Sequence, residues 1–154
     1  MKSHLTLSAL MACFAAAAHG QELGTLIALK PSTDVNRPLA FDKAELSAKA
    51  GARIKLVLTN EGGALSQPYN VVLCKPGTAD KVVAAAMSMV TDPSGMAKGY
   101  VPDSTDIVAY TPLAQPGETQ SIEVTLPTAA GDYPFFSTFP GHPVIMKGVL
   151  KVSN

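Results

Sequence analysis

Apolar and polar residues alternate with period two along much of this chain. "RIKLVLT", Arg53–Thr59, places Ile54, Leu56 and Leu58 on one face and Lys55 and Val57 on the other. "SIEVTL" does the same with Ile122, Val124 and Leu126. That alternation predicts strands buried on one face, as in an antiparallel sheet. Shorter runs rich in Val, Ile, Leu, Phe and Thr predict further strands at Gly24–Leu29, Leu39–Phe41, Glu45–Ser47, Tyr69–Cys74, Ile107–Thr111, Asp132–Ser137 and Lys147–Val152. Turn signals separate them, among them Lys49-Ala50-Gly51, Asn60-Glu61-Gly62-Gly63, Gln115-Pro116-Gly117-Glu118 and Ala130-Gly131-Asp132. Many short strands at such spacing predict an all-β, Greek-key β-sandwich. One segment departs from the pattern. "TADKVVAAAMSMV", Thr78–Val90, is alanine-rich, opens with Thr78 and Asp80, and is followed by Pro93 and Gly95. A hydroxyl at the N-cap, an acid in the first turn and a Pro/Gly stop predict one short inserted helix around 79–90.

The amino terminus follows a different logic. Lys2 precedes an uncharged apolar run, Leu5–Ala18, and Ala18-His19-Gly20 has the small–x–small form of a cleavage site. This predicts a signal peptide over 1–20, cleavage before Gln21, and a periplasmic or secreted product. The run is too short to span a bilayer, so no transmembrane segment is expected after cleavage. A lipoprotein signal ending at Cys13 is the alternative, and the continuation of the run past Cys13 argues against it. Residues 21–154 then form a single domain, long enough to bury a core without staples.

Charge adds little: 12 basic and 12 acidic residues balance, and nothing in their distribution calls for nucleic acid. The loss of the leader matters more. It removes Cys13, His4 and His19, so the mature chain keeps one Cys, Cys74, and one His, His142. No internal disulfide can form, and no site needing two His or two Cys can be built. With one His, no Ser-His-Asp spacing, no Gly-rich phosphate loop and no paired carboxylates in context, no catalytic constellation is expected.

The most informative stretch is Phe135–Val152, "FFSTFPGHPVIMKGVLKV". His142 and Met146 lie four apart in a turn punctuated by Gly and Pro, just before an alternating run. This stretch resembles the end of the azurin branch of the cupredoxins (plastocyanin/azurin family), the small exported blue-copper proteins. Azurins carry F-C-T-F-P-G-H-x-x-x-M-K-G-x-L before the last strand. Here Phe136-Ser137-Thr138-Phe139-Pro140-Gly141-His142 runs to Met146-Lys147-Gly148 and Leu150, with one fixed position changed. "YVPDSTDIVAYTPLAQPGETQSIEV" is similar to the azurin stretch after its helix, and "PYNVVL" falls where the family has G-H-N-x-V-L. The resemblance covers about Leu39–Val152; residues 21–38 match poorly and the azurin disulfide is absent.

The resemblance implies a cupredoxin fold and a copper position. A blue-copper site is a trigonal His, His, Cys set with a weak axial Met. Carried over residue by residue, Tyr69 stands at the first His position and Ser137 at the Cys position, while His142 and Met146 match the second His and the Met. A neutral hydroxyl is a poor stand-in for a soft thiolate. A phenol with a pKa of about 10 must lose its proton to bind well. Cys74, five positions after Tyr69, points to the opposite face of a strand and should not reach the site. The retained pair, His142 and Met146, therefore implies copper that is weak or vestigial and no cofactor of high affinity. Asn70 and Thr138 are the residues that tie the two ligand loops together in the family, and both are present. The Tyr69 ring is expected to fill the space of an imidazole plus a metal, its hydroxyl bonding Ser137 or His142.

Simpler roles stand beside these. His142 is either a copper ligand or a loop histidine held by hydrogen bonds. Met146 is a ligand or a core residue, and Cys74 a small buried hydrophobe or an intermolecular disulfide partner. Met87, Met89 and Met96 suggest packing more than a copper(I) cluster, because Met87 and Met89 fall on different helix faces. Asp103 and Asp106 suit surface turns more than a calcium site. Phe139, Pro140, Pro143 and Val144 form an apolar rim around His142, which is a retained docking patch for a redox or periplasmic protein or plain loop packing. The leading expectation is a binding or scaffold domain with a degenerate type 1 site, not an enzyme and not itself an electron carrier. The alternatives are an electron-transfer protein with an altered, non-blue site and a weak copper carrier.

Overall fold

The computed structural model describes residues 24–154; the expected signal peptide, 1–20, lies outside the described residues. Strands β1 (Thr25–Leu29), β3 (Arg53–Thr59) and β6 (Thr119–Thr125) form one sheet in the order β1-β3-β6. Strands β2 (Glu45–Lys49), β8 (Lys147–Ser153), β7 (Gly131–Phe136), β4 (Val72–Cys74) and β5 (Ile107–Tyr110) form the other, in the order β2-β8-β7-β4-β5. The two pack as a sandwich, with one helix, α1 (Ala79–Ser88), inserted between β4 and β5.

The alternating faces fall as the sequence predicts. Ile54, Leu56 and Leu58 of β3 are buried, and with Ile27 and Leu29 they meet Leu73, Tyr133, Phe135 and Leu150 of the other sheet and Val71 just before β4. Each fully buried aliphatic or aromatic side chain contributes about 1.5–3 kcal/mol relative to exposure. Strand β4 is buried on both faces. Leu73 joins this main core, while Val72 and Cys74 pack with Val82 of α1, Val101 and Phe136 in a second cluster. Val82 and Ala86, four apart on one face of α1, are the buried residues of the helix, and Val82 is the one that enters this cluster.

Several details differ from expectation. The sheets are mixed, because β1 pairs with β3 and β2 with β8 in parallel; period two reports a one-sided strand, not its direction. Leu39–Phe41 forms no strand, only an isolated bridge between Pro31 and Phe41. Strand β4 starts at Val72, and Tyr69 is held by a separate bridge to Ala114. The helix ends at Ser88, and Met89–Thr91 is a 3-10 turn. Thr78 does not cap α1 with its side chain; the hydroxyl donates backwards to the Lys75 carbonyl at 2.9 Å. Among the described residues no helix is long and apolar enough to cross a membrane.

Gly148 shows how tightly the larger sheet is assembled near the site. A Cβ there would stand 2.3 Å from Cζ of Phe135 and 2.5 Å from the Ala44 carbonyl oxygen. The Phe135 ring is core and the Ala44 carbonyl accepts the Val149 N–H, so neither yields cheaply. Gly148→Ala is expected to lower stability by about 2–3 kcal/mol in a denaturant titration. A loss within error of zero would mean the β2–β8 edge is looser than described.

Candidate metal centre

Three connections converge on the position where the metal would lie. The first is the loop that closes with Tyr69. Tyr69 N–H donates to the Ala114 carbonyl at 3.1 Å and Ala114 N–H returns the bond at 2.7 Å. The buried Asn60 secures this arrangement from the side, its Nδ2 donating to the carbonyls of Gln67 (2.8 Å) and Ala114 (2.9 Å). The second is the segment after α1 at Gly99-Tyr100. The third is the turn Ser137–Met146 between β7 and β8. Ser137 N–H donates to the Met146 carbonyl at 3.1 Å and closes the base of that turn. Inside it, the His142 carbonyl accepts from Ile145 and Met146 at 2.9 and 2.8 Å.

Tyr69, Ser137, His142 and Met146 are all buried, with at most 1 % of their surface exposed. The Tyr69 ring stacks on the His142 imidazole at 5.1 Å between centroids and 28° between planes. Its hydroxyl bonds neither Ser137 nor His142, as the sequence led us to expect, but donates to the Leu65 carbonyl at 2.7 Å. That carbonyl sits four residues upstream in the same loop, and the ring is therefore anchored locally. Burial raises the Tyr69 pKa, so the phenol gives up its proton even less readily than usual.

Both nitrogens of His142 have protein partners. Nδ1 lies 3.2 Å from Oγ of Ser137, and Nε2 lies 2.9 Å from Oε1 of Gln67. The Gln67 oxygen can only accept, so Nε2 carries the proton and Nδ1 offers its lone pair to the Ser137 hydroxyl. Burial pushes the His142 pKa down to about 4. An unfolded histidine titrates near 6.5. As pH falls from about 6.5 to 4 the unfolded chain takes up a proton that the folded chain refuses, so stability falls. We expect this to remove about 2–3 kcal/mol over that window. The urea midpoint of His142→Gln should depend less on pH than that of the parent; equal slopes would mean His142 is not held neutral by burial.

Asn70 and Thr138 sit behind the ring pair. Asn70 Oδ1 accepts from Thr138 N–H at 2.8 Å, and Asn70 Nδ2 donates to Thr138 Oγ1 at 2.8 Å and to the Gly99 carbonyl at 2.9 Å. Gly99 and Tyr100 are consecutive left-handed residues, with φ of 62° and 57°. Tyr100, which has a Cβ, holds this conformation at a cost. The turn delivers the Gly99 carbonyl to Asn70 and sets the Tyr100 ring edge-on against Phe139 at 5.9 Å.

The remaining sequence candidates separate. Cys74 lies in the second cluster under α1, away from the Tyr69–His142 stack, and burial followed by the Asp106 charge pushes its pKa up to about 12. Met87 and Met96 are exposed and Met89 is packed. Asp103 is exposed, while Asp106 pairs with Lys81 at 2.7 Å. The apolar rim is smaller than expected. Pro143 is buried, because the turn folds it inward beside His142; Phe139 and Pro140 are half-buried. Val144 and the unanticipated Ile145 are the exposed residues, each at 61 %. Sequence reasoning also missed Gln67, Asn60 and Leu65. The one available signal was an amide two positions before Tyr69. Among the described residues, no three of His, Cys, Asp and Glu come together as a metal cluster.

A two-sheet sandwich with an inserted helix and these four positions gathered between its connecting loops is the architecture of a cupredoxin. Residues 28–153 match the family described as copper binding proteins, plastocyanin/azurin family. The chain is 38 % identical to Auracyanin-A of Chloroflexus aurantiacus over 75 % of its own length and 68 % of that protein. It is 32 % identical to Azurin-1 of Alcaligenes xylosoxydans xylosoxydans over 76 % of its length and 92 % of that protein. The solved structure of auracyanin A, a "blue" copper protein from Chloroflexus aurantiacus, superposes with a TM-score of 0.70 at 32 % identity, covering 84 % of this chain and 98 % of that one. The chain belongs to the plastocyanin/azurin family of copper-binding proteins.

Proposed function

We propose that this is an exported, single-domain member of the family whose copper position has become a packed polar core, and that it serves as a binding or scaffold protein without carrying electrons itself. One observation carries the reading. The Tyr69 ring lies stacked on His142, and both imidazole nitrogens are bonded within the protein.

The donor set does not fit a type 1 copper, which takes a thiolate and two imidazoles in its plane. Ser137 supplies a neutral hydroxyl. Tyr69 supplies a phenol with a raised pKa, its proton committed to the Leu65 carbonyl. His142 and Met146 alone remain as an imidazole and a thioether. The outer face of the imidazole, through which an electron would leave, is covered by Gln67 and only 1 % of His142 is exposed. The surrounding ties through Asn70, Thr138 and Gly99 support a loop kept for its shape.

Titrating the mature protein with Cu(II) and Cu(I), followed by visible absorption and melting temperature, tests this. We expect no intense band and no stabilisation. A ligand at a hundred times its Kd would stabilise by about 2.7 kcal/mol, a shift easily seen. Stabilisation without colour would favour the weak-carrier alternative through His142 and Met146. An intense thiolate-type band would reject the proposal, because Cys74 would have to be a ligand.

A further inference from the structure

A groove of about 440 Å³ runs beside β8, lined by Asn36, Arg37, Pro38, Leu39, Phe41 and Ile145, with Lys147 at its edge. Its volume falls in the range of roughly 300–1,000 Å³ typical of small-molecule sites. Its walls are fixed. Phe41, 1 % exposed, is packed on Phe135 at 5.4 Å between ring centroids and forms a rigid apolar floor. Ser32 N–H donates to the Ala40 carbonyl and Asp42 N–H to the Lys30 carbonyl, both at 2.8 Å, so the 36–41 arm is pinned on both sides of Phe41. On the other wall, Ala44 is tied to β8 through Val149 N–H at 2.9 Å.

The charge is one-sided. Arg37 and Lys147 are exposed, neither forms an ion pair among the described residues, and no carboxylate lines the groove. The acids nearest in sequence are engaged elsewhere. Asp34 accepts from Asn36 N–H at 2.9 Å within its own turn. Asp42 accepts from Lys30 N–H at 2.9 Å and lies 3.8 Å from Lys43, and Glu45 pairs with Lys151 at 2.8 Å. Two cations with no ion-pair partner among the described residues thus stand over an apolar floor.

We propose that this groove binds a small monocarboxylate with an apolar body, an aliphatic or aromatic acid. The tail lies on Phe41, Leu39, Pro38 and Ile145, and the carboxylate meets Arg37 and Lys147. The complementarity is of two kinds at once: a bare anion lacks the part that covers the apolar floor, and a neutral alcohol lacks the charge. Ile145 belongs to the turn that carries His142, but none of Tyr69, Ser137, His142 and Met146 lines the groove, so binding there requires no copper.

Octanoate, below its micelle concentration, is the probe. Isothermal titration at low salt should show saturable binding, with octanol and acetate each at least about tenfold weaker. Amide cross-peaks of residues 36–41 and 145–147 should shift. Arg37→Gln with Lys147→Gln should weaken octanoate by about tenfold and leave octanol unchanged. Both substitutions are on exposed side chains, so folding should be unaffected and is checked by the spectrum of the free variant. Octanol binding as tightly as octanoate would overturn the proposal, as would acetate matching octanoate, shifts confined to another surface, or a double variant that binds like the parent.

Discussion

Changing Tyr69 to His and Ser137 to Cys together is expected to give a protein that binds Cu(II) with an intense visible charge-transfer band, and the parent is expected to give none. The two changes restore the thiolate and the second imidazole that a blue site requires. The surroundings are already in place. Gln67 holds the proton on Nε2 of His142, so the Nδ1 lone pair points at position 137, 3.2 Å from the Ser137 oxygen. Met146 is buried at the foot of the same turn, and Asn70 clamps Thr138 next door. Replacing the phenol ring by imidazole also vacates volume against His142, where the ring now stacks. Ser137→Cys alone should stay colourless or nearly so, because the Tyr69 ring still fills the position. A colourless double variant would show that the loops themselves have moved away from a copper-holding geometry. A blue single variant would show that Tyr69 is not the obstacle.

The second large effect is on stability. Asn70→Ala should cost about 3–4 kcal/mol in a denaturant titration, among the larger losses a single polar substitution produces. The side chain is fully buried and joins three connections. It accepts from Thr138 N–H and donates to Thr138 Oγ1 and the Gly99 carbonyl. Truncation leaves the buried Thr138 N–H without a partner, at the cost of its desolvation, and unties the Gly99 carbonyl, which keeps only the longer 3.3 Å bond from Thr138 Oγ1. Thr138→Val should cost less, since Asn70 keeps its bonds to Thr138 N–H and to Gly99. A loss below about 1 kcal/mol for Asn70→Ala would mean that water or loop movement replaces the tie.

How much of this could be read from the chain depends on the range of the interaction. The buried face of β3 and the half-buried face of β6 were legible because alternation is local. That Tyr69 and Ser137 meet His142 was legible because the surrounding motif fixes their positions. Gln67 was not, since its contact with His142 spans 75 residues and no local pattern announces it. The target of the Tyr69 hydroxyl was misjudged for the opposite reason: a backbone carbonyl four residues away outcompeted the side chains across the site. Parallel pairing of β1 with β3 and β2 with β8 leaves no mark on residue alternation. Pro143 was grouped with its apolar loop neighbours as rim around His142, whereas the turn that buries His142 carries Pro143 inward.

The most direct test of whether Tyr69 has replaced the metal is anomalous scattering at the copper edge from crystals of the mature protein grown in excess copper. The expected map has the Tyr69 ring stacked on His142, its hydroxyl on the Leu65 carbonyl, and no anomalous peak among Ser137 Oγ, His142 Nδ1 and Met146 Sδ. A full-occupancy copper peak at that point, with Tyr69 swung aside, would contradict it.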